Sequence, residues 1–229
     1  MATLSPDFAT DAFFDDARGR MVDSQLRPNK VSDPRILEAM RHLPRERFLP
    51  AALGALAYAD QTVGPHDGRV MMQPMALARL VQAAAPRKGE KVLVIGMGAG
   101  YAAALLAALE CDVTALEPSA DALAVTRKAL AGAAPSVTLA AGPLTAGWAA
   151  GAPYGLILID GAVPAIPLAI AAQLHPENGR VVTILSGGNG RVSHAIHAGP
   201  TPAGLSIRTL FDCACPVLPG FMAAPVFAF

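Results

Sequence analysis

The stretch from Lys91 to Leu109 constrains the fold more than any other part of the chain. Lys91-Val-Leu-Val-Ile95 is a short apolar run that ends in Gly96-Met97-Gly98-Ala99-Gly100 and leads straight into an Ala/Leu-rich segment. An apolar run without polar alternation needs cover on both faces, and a strand that feeds a helix through a glycine turn finds it in a parallel sheet flanked by helices. The same texture recurs downstream. Strands are expected at 112–117, more weakly at 136–140, at 156–159 ending on Asp160, and at 180–185, with helices at 119–130 and 167–174. The last stretch, 206–229, reads as one or two strands broken by prolines at a sheet edge. The expected architecture is α/β, doubly wound and mostly parallel.

Upstream of Lys91 the chain reads as helix and loop. A helix over 5–25 stops before Arg27-Pro28. Ser32-Asp33-Pro34 opens a second, with Ile36, Leu37, Met40 and Leu43 at helical spacing and Pro44 as its stop. A loop over 58–70 precedes a third helix at 73–85. This divides the chain into a helical N-terminal region, 1–88, expected to cap a site carried by 89–229.

Composition narrows the function classes. The chain is 53% hydrophobic and 16% charged, which excludes intrinsic disorder. Eighteen basic and eighteen acidic residues cancel, so no whole-chain signal for nucleic acid or an anionic membrane exists. Residues 129–159 carry no charge, but Pro135, Pro143 and Pro153 and five glycines break any lipid-spanning helix. Acidic Asp7, Asp11, Asp15 and Asp16 do not suit a secretory leader. Three cysteines give neither a disulfide framework nor a zinc pattern. A cytoplasmic protein is expected. Only six charged residues lie beyond 128, and this charge-poor half is the expected surface of a homodimer.

In a doubly wound sheet the first strand ends where ligands bind. Glycines there allow a tight turn and bring main-chain N–H groups of the following helix towards the ligand. Glu117 closes the next strand, seventeen residues past Gly100, where a carboxylate can accept both hydroxyls of a ribose. This order points to a nucleoside-type ligand; a plain tight turn followed by a solvated Glu is the alternative. A dinucleotide fingerprint wants glycine where Tyr101 stands, so the spacing favours S-adenosylmethionine over NAD. His194-x-x-His197 has helical spacing but no third ligand, and no metal is expected.

Several motifs carry a closer resemblance: Met21-Val-x-x-Gln25-Leu26, Asp33-x-x-Ile36-Leu37-x-Ala39-Met40, Pro44-Arg45-Glu46-x-Phe48-x-Pro50 and Tyr58-x-Asp60. Gln73-Pro74, the glycine loop ending in Gly100-Tyr101, Gln173-Leu174 and Asn178-Gly179-Arg180-Val181-Val182 complete the set. Together they resemble the protein-L-isoaspartate O-methyltransferase family over nearly the whole chain. The resemblance implies a seven-stranded, Rossmann-like methyltransferase sheet with a helical N-terminal extension, S-adenosylmethionine as methyl donor, and an isoaspartyl carboxylate in damaged protein as acceptor. It places the cofactor at Gly96, Met97, Gly98, Gly100, Tyr101, Glu117, Gly142 and Pro143. It places the acceptor at Met71, Met72, Gln73, Pro74 and Asp160.

The departures from the family fall among these positions. Val70-Met71-Met72-Gln73-Pro74 replaces a threonine-isoleucine-serine-glutamine-proline loop, so Met72 stands at the active-site serine position, and a methionine offers no hydroxyl donor. Val94 replaces an acid inside the first strand, Gly142-Pro143-Leu144 replaces Gly-Asp-Gly, and Gly155 replaces the Asp that begins the fourth strand. Asp160 stands where the family is neutral; it is either a base or orienter for the acceptor or a solvated cap. These changes around one pocket imply altered activity, with cofactor binding retained at lower affinity. Two alternatives follow: a methyltransferase for a different acceptor, and a degenerate binding or assembly module of the same fold.

Overall fold

The computed structural model describes residues 6–64, 70–96, 98–188 and 190–222. The first helix, α1 (Pro6–Met21), runs on into a π-helical turn, Val22–Leu26, whose Val22 and Leu26 are buried. In α2 (Pro34–His42), Asp33 caps the start by accepting from the Arg35 N–H, and Pro34 occupies the first turn. Helix α3 (Pro74–Ala84) follows the loop at 70–73 and buries Leu77, Leu80 and Val81.

The sheet then forms from β1 (Lys91–Ile95), β2 (Asp112–Glu117), β3 (Thr138–Ala141), β4 (Leu156–Val163), β5 (Arg180–Leu185), β6 (His194–Thr201) and β7 (Gly204–Asp212). Their order is β3-β2-β1-β4-β5-β6-β7. The first five strands are parallel, and β6 and β7 are antiparallel additions. Helices α4 (Tyr101–Ala108), α5 (Ala120–Leu130) and α6 (Leu168–Ala171) make the crossovers. Order reverses between β1 and β4, which puts the switch point at their carboxyl ends.

Side-chain alternation splits the core in two. Val92, Val94, Ala115, Leu156 and Leu158 share one apolar cluster with α2, α3, α4 and the buried Met21, Val22 and Leu26. Leu93, Ile95, Leu116, Ile157 and Ile159 join the other, with Leu144, Ile170 and Leu218. The N-terminal helices therefore complete the main core rather than holding a separate one.

Three expectations need correction. Strand β4 does not end at Asp160 but runs to Val163, because Ala162 pairs on one side with Ile184 and on the other with the tail at Val217. The helix expected over 167–174 is only four residues long; the Gln173 carbonyl and His175 N–H are drawn into bonds with Tyr154, which ends the turn. Residues 194–201 form a strand, so His194 and His197 do not share a helix face. The signal overlooked was Thr201-Pro-Ala-Gly204, a two-residue turn in which Gly204 takes φ +126°. Among the described residues no helix is long and apolar enough to cross a membrane.

Candidate functional site

The glycine loop and the 70–74 loop are built against each other. Gly98 has φ +53°, and a Cβ there would lie 2.9 Å from the Val70 carbonyl oxygen. Both the left-handed backbone and the close approach require glycine. Met71 pairs with Val63 through bonds of 3.1 and 2.6 Å, which fixes the loop from its other side. The side chains of Met71 and Met72 are buried in the main apolar cluster. Gln73 donates to the Cys213 Sγ at 3.6 Å, and Pro74 starts α3. Met97 lies outside the described residues.

Arg45 is the hub of this arrangement. It is fully buried, donates from Nε to the Ala57 carbonyl and from Nη2 to the Met72 carbonyl, each at 2.8 Å, and lies 4.4 Å over the Tyr101 ring. Tyr101 in turn meets Phe48 edge to face at 5.4 Å. The ring of Tyr101, a residue the resemblance places at the cofactor, is buried against Arg45 and Phe48 of the Pro-Arg-Glu-x-Phe segment. A second knot joins Glu46, Tyr58 and Arg18: Tyr58 donates to Glu46, Arg18 donates to the Tyr58 hydroxyl at 3.1 Å, and Gln25 donates to the Tyr58 carbonyl at 2.8 Å. These motif residues, scattered in sequence, form one scaffold under the 70–74 loop. The segment after Asp60 reaches residues outside those described.

Glu117 closes β2 and Asp160 lies within β4, three residues before its end, and both are buried. The Asp160 result overturns the solvated-cap expectation. Among the described residues Oδ1 of Asp160 has no hydrogen-bond partner. Burial pushes this carboxyl up to about 8; Arg45 pulls it down and Glu117 pushes it further up. A carboxyl raised in the folded state stabilises most below its ordinary value, and that contribution is lost as pH rises from about 4 to about 8. Asp160→Asn should therefore raise the melting temperature, with a gain that grows across that window; a constant or shrinking gain between the two ends would contradict the assignment. Val94 pairs with Leu158, two residues before Asp160 on the same face.

On the other side of the crevice, Gly142 N–H donates to the Glu117 carbonyl at 2.9 Å. Gln173, buried and part of a sequence motif, holds the segment after Pro143. Its Nε2 donates to the Ala146 carbonyl at 2.7 Å, and its Oε1 accepts from the Trp148 N–H at 2.7 Å. Leu218 closes the crevice from the tail. Its bond to the Ala162 carbonyl sets its side chain against Gly96 and Gly161, where a Cβ would meet it at 2.9 and 2.6 Å.

Gly155 does not belong to this site. It lies at the amino end of β4, where a Cβ would come 2.4 Å from Glu90 Oε1. Glu90 uses that space to pair with Arg180 at 2.6 Å. The departure at 155 is therefore structural and lies away from the carboxyl ends of the strands. A cleft of about 1070 Å³ is lined by Asp15, Arg18, Glu46, Arg47 and Lys128 and, from the glycine loop, by Gly98 and Ala99. Among the described residues no group of three His, Cys, Asp or Glu could hold a metal, and the three cysteines are free thiols.

A glycine cradle after β1, an acid ending β2 and a switch point between β1 and β4 describe a class of folds. Relatives decide the family. Residues 18–195 match the protein-L-isoaspartate(D-aspartate) O-methyltransferase (PCMT) family. The chain belongs to that family. A protein-L-isoaspartate O-methyltransferase of Methylorubrum extorquens (strain PA1) is 40% identical over 169 residues, 74% of each chain. One from Anaeromyxobacter sp. (strain Fw109-5) is 41% identical over 167 residues, 72% of this chain and 68% of its own. The fold agrees with a solved protein-L-isoaspartate O-methyltransferase at TM-score 0.75 and 24% identity, over 87% of this chain and 65% of that one. It agrees also with a Plasmodium falciparum beta-aspartate methyltransferase (PCMT) in complex with S-adenosyl-L-homocysteine, at TM-score 0.74 and 14% identity, over 89% and 98%. The seven-stranded methyltransferase sheet expected from the motifs is the observed one. The Pro44-Arg45-Glu46-x-Phe48 and Gly100-Tyr101 segments meet in the fold, where Tyr101 packs on both Arg45 and Phe48.

Proposed function

We propose that this chain is an S-adenosylmethionine-dependent carboxyl methyltransferase acting on isoaspartyl residues of damaged proteins. The observation that carries the reading is the packing of the 70–74 loop on the glycine loop, Val70 carbonyl against Gly98. It brings the acceptor segment of this family to the mouth of a nucleotide cradle. The residues fit the cofactor: Gly96, Gly98 and Gly100 all take positive φ, and Glu117 ends β2 beside Gly142. The 1–88 region serves as the cap, since the Val70 carbonyl packs on Gly98 and Arg45 lies 4.4 Å over the Tyr101 ring.

S-adenosylmethionine, when bound, supplies an electrophilic methyl on sulfur. That methyl would pass to a carboxylate oxygen of the acceptor as a methyl ester, with S-adenosylhomocysteine as the leaving group. The nucleophile is already ionised, so the chain removes no proton and works by positioning and exclusion of water. Glu117 holds the ribose hydroxyls, and the glycine loop presents main-chain N–H groups. The buried 70–74 loop keeps water from the reacting atoms.

The test is a pair of peptides identical except for one isoaspartyl or aspartyl residue, each incubated with S-adenosylmethionine and analysed by mass spectrometry. One methyl should appear on the isoaspartyl peptide alone. Transfer to neither overturns the reading, and transfer to both removes its specificity. Met72→Ser restores a hydroxyl to the loop and should raise kcat/KM roughly 10-fold, the value of one hydrogen bond to a charged group; an unchanged or lower value would show that position 72 does not face the acceptor. A homodimer through the charge-poor half is proposed as well. Strand β7 is an open sheet edge with Ile207 exposed, and a strictly monomeric protein by sedimentation would remove that idea.

A further inference from the structure

A recess of about 300 Å³ opens between α3 and β7, lined by Lys30, Arg79, Gln82, Arg208, Leu210 and Phe211. Three cations converge on it from separate elements: Lys30 from the loop before α2, Arg79 from α3 and Arg208 from β7. Among the described residues no carboxylate pairs with any of them. Of the six charged residues beyond 128, Arg208 alone faces this recess. The cations are held in place from behind. Gln82 donates to the Lys30 carbonyl at 2.8 Å and accepts from the Ser32 and Asp33 N–H groups at 2.7 and 3.0 Å, which fixes the turn where Lys30 takes φ +68°. The Arg79 guanidinium lies 3.8 Å over the Phe211 ring. A guanidinium stacked in this way still presents its N–H groups edge-on, in the plane that suits a carboxylate. His197 stands opposite Arg208 on β6 and is held below its ordinary range by burial first, then by Arg208 and Arg180. The charge on this face is therefore positive and uncompensated.

The recess continues from the acceptor loop. Gln73 donates to the Cys213 Sγ at 3.6 Å, Cys213 follows Phe211 by two residues, and its thiol feels Asp60 and Arg79 after burial. From Gln73 to Arg79 and Gln82 helix α3 rises about 9–14 Å, the span of about three to four extended residues. Resting on the functional reading above, we infer that the recess receives acidic side chains of the acceptor polypeptide, about three to four residues to one side of the isoaspartyl residue. Lys30, Arg79 and Arg208 are then specificity-determining residues for the same reaction. Three cations gathered round a recess match a short acidic stretch, whereas a nucleic-acid backbone needs a longer basic stripe. Lys30 and Arg208 are exposed, so their attraction is screened by salt and acts on capture of the acceptor rather than on methyl transfer.

Isoaspartyl peptides of one length test this: one with uncharged flanks, one with a pair of glutamates about three to four residues before the isoaspartyl residue, and one with the same pair after it. Rates of S-adenosylhomocysteine release should give one acidic peptide a KM about 3- to 10-fold below that of the uncharged peptide, with the same kcat. That advantage should vanish at about 0.5 M salt, where the Debye length is about 4 Å. Arg208→Glu, at an exposed strand position, should reverse the preference, and Lys30→Gln should shrink it without reversing it. On an active wild type, equal KM for every peptide, equal gains on both flanks, an advantage that persists in high salt or a preference untouched by Arg208→Glu would overturn the proposal and leave the isoaspartyl reading standing. A wild type inactive on every peptide overturns that reading and this proposal together.

Discussion

Arg180→Ala is expected to lower the unfolding free energy by about 3–5 kcal/mol, the usual effect of removing one partner of a buried pair. Arg180 is 9% exposed and ties three parts of the chain together. Its guanidinium meets Glu90 at 2.6 and 2.8 Å, donates to the Gly155 carbonyl at 2.7 Å and the Ala85 carbonyl at 3.2 Å, and also donates to the Ala84 carbonyl. Those last two carbonyls end α3, so the residue caps a helix while joining β4 to β5. Burial pushes the Glu90 carboxyl up, but Arg180 and the Arg87 N–H outweigh it and hold it below its ordinary value. This group stabilises the fold above its ordinary range, and the contribution is lost as pH falls through the depressed value. The gap between wild type and variant should thus narrow in acid. Denaturant unfolding near neutral pH gives the measurement, and a loss under about 1 kcal/mol would reduce Arg180 to an ordinary surface pair.

The second large effect concerns the ligand. Glu117→Ala should weaken S-adenosylmethionine binding by about 100-fold or more, since a carboxylate that accepts two ribose hydroxyls supplies two charge-assisted bonds. The carboxyl is 1% exposed at the end of β2. Its removal also relieves Asp160 of a neighbouring negative charge, so the variant should remain folded while its cofactor affinity collapses. Equal loss of S-adenosylmethionine and S-adenosylhomocysteine affinity is expected, because both carry the ribose. A variant that binds as tightly as the wild type would place the ribose elsewhere.

Local pattern made some elements legible in the sequence. Strands β1, β2 and β5 begin and end where their apolar runs do. The cap at Asp33-Pro34 and the order of strand, glycine turn, helix and Glu117 were likewise present in neighbouring residues. What escaped depends on contacts far apart in the chain. Asp160 is buried because residues 216–218 return to pair with Ala162, more than fifty positions later. Gly155 is glycine because Glu90 and Arg180 meet beside it, and nothing in the local sequence links those three. Tyr101 follows the glycine loop, and its ring packs on Arg45 and Phe48, more than fifty positions upstream. The single feature that would have revealed this was the pairing of its motif with Pro44-Arg45-Glu46-x-Phe48.

Every chemical step proposed here stands on one binding event at the carboxyl ends of β1, β2 and β4. Calorimetric titration of the purified protein with S-adenosylmethionine, its demethylated product and NAD tests it directly. Micromolar binding of the sulfonium and the product, with none of NAD, is the predicted result. No heat from either adenosyl ligand at millimolar concentration would mean that the glycine loop and Glu117 no longer form a cofactor site, and the chain would then be a binding module built on a methyltransferase fold.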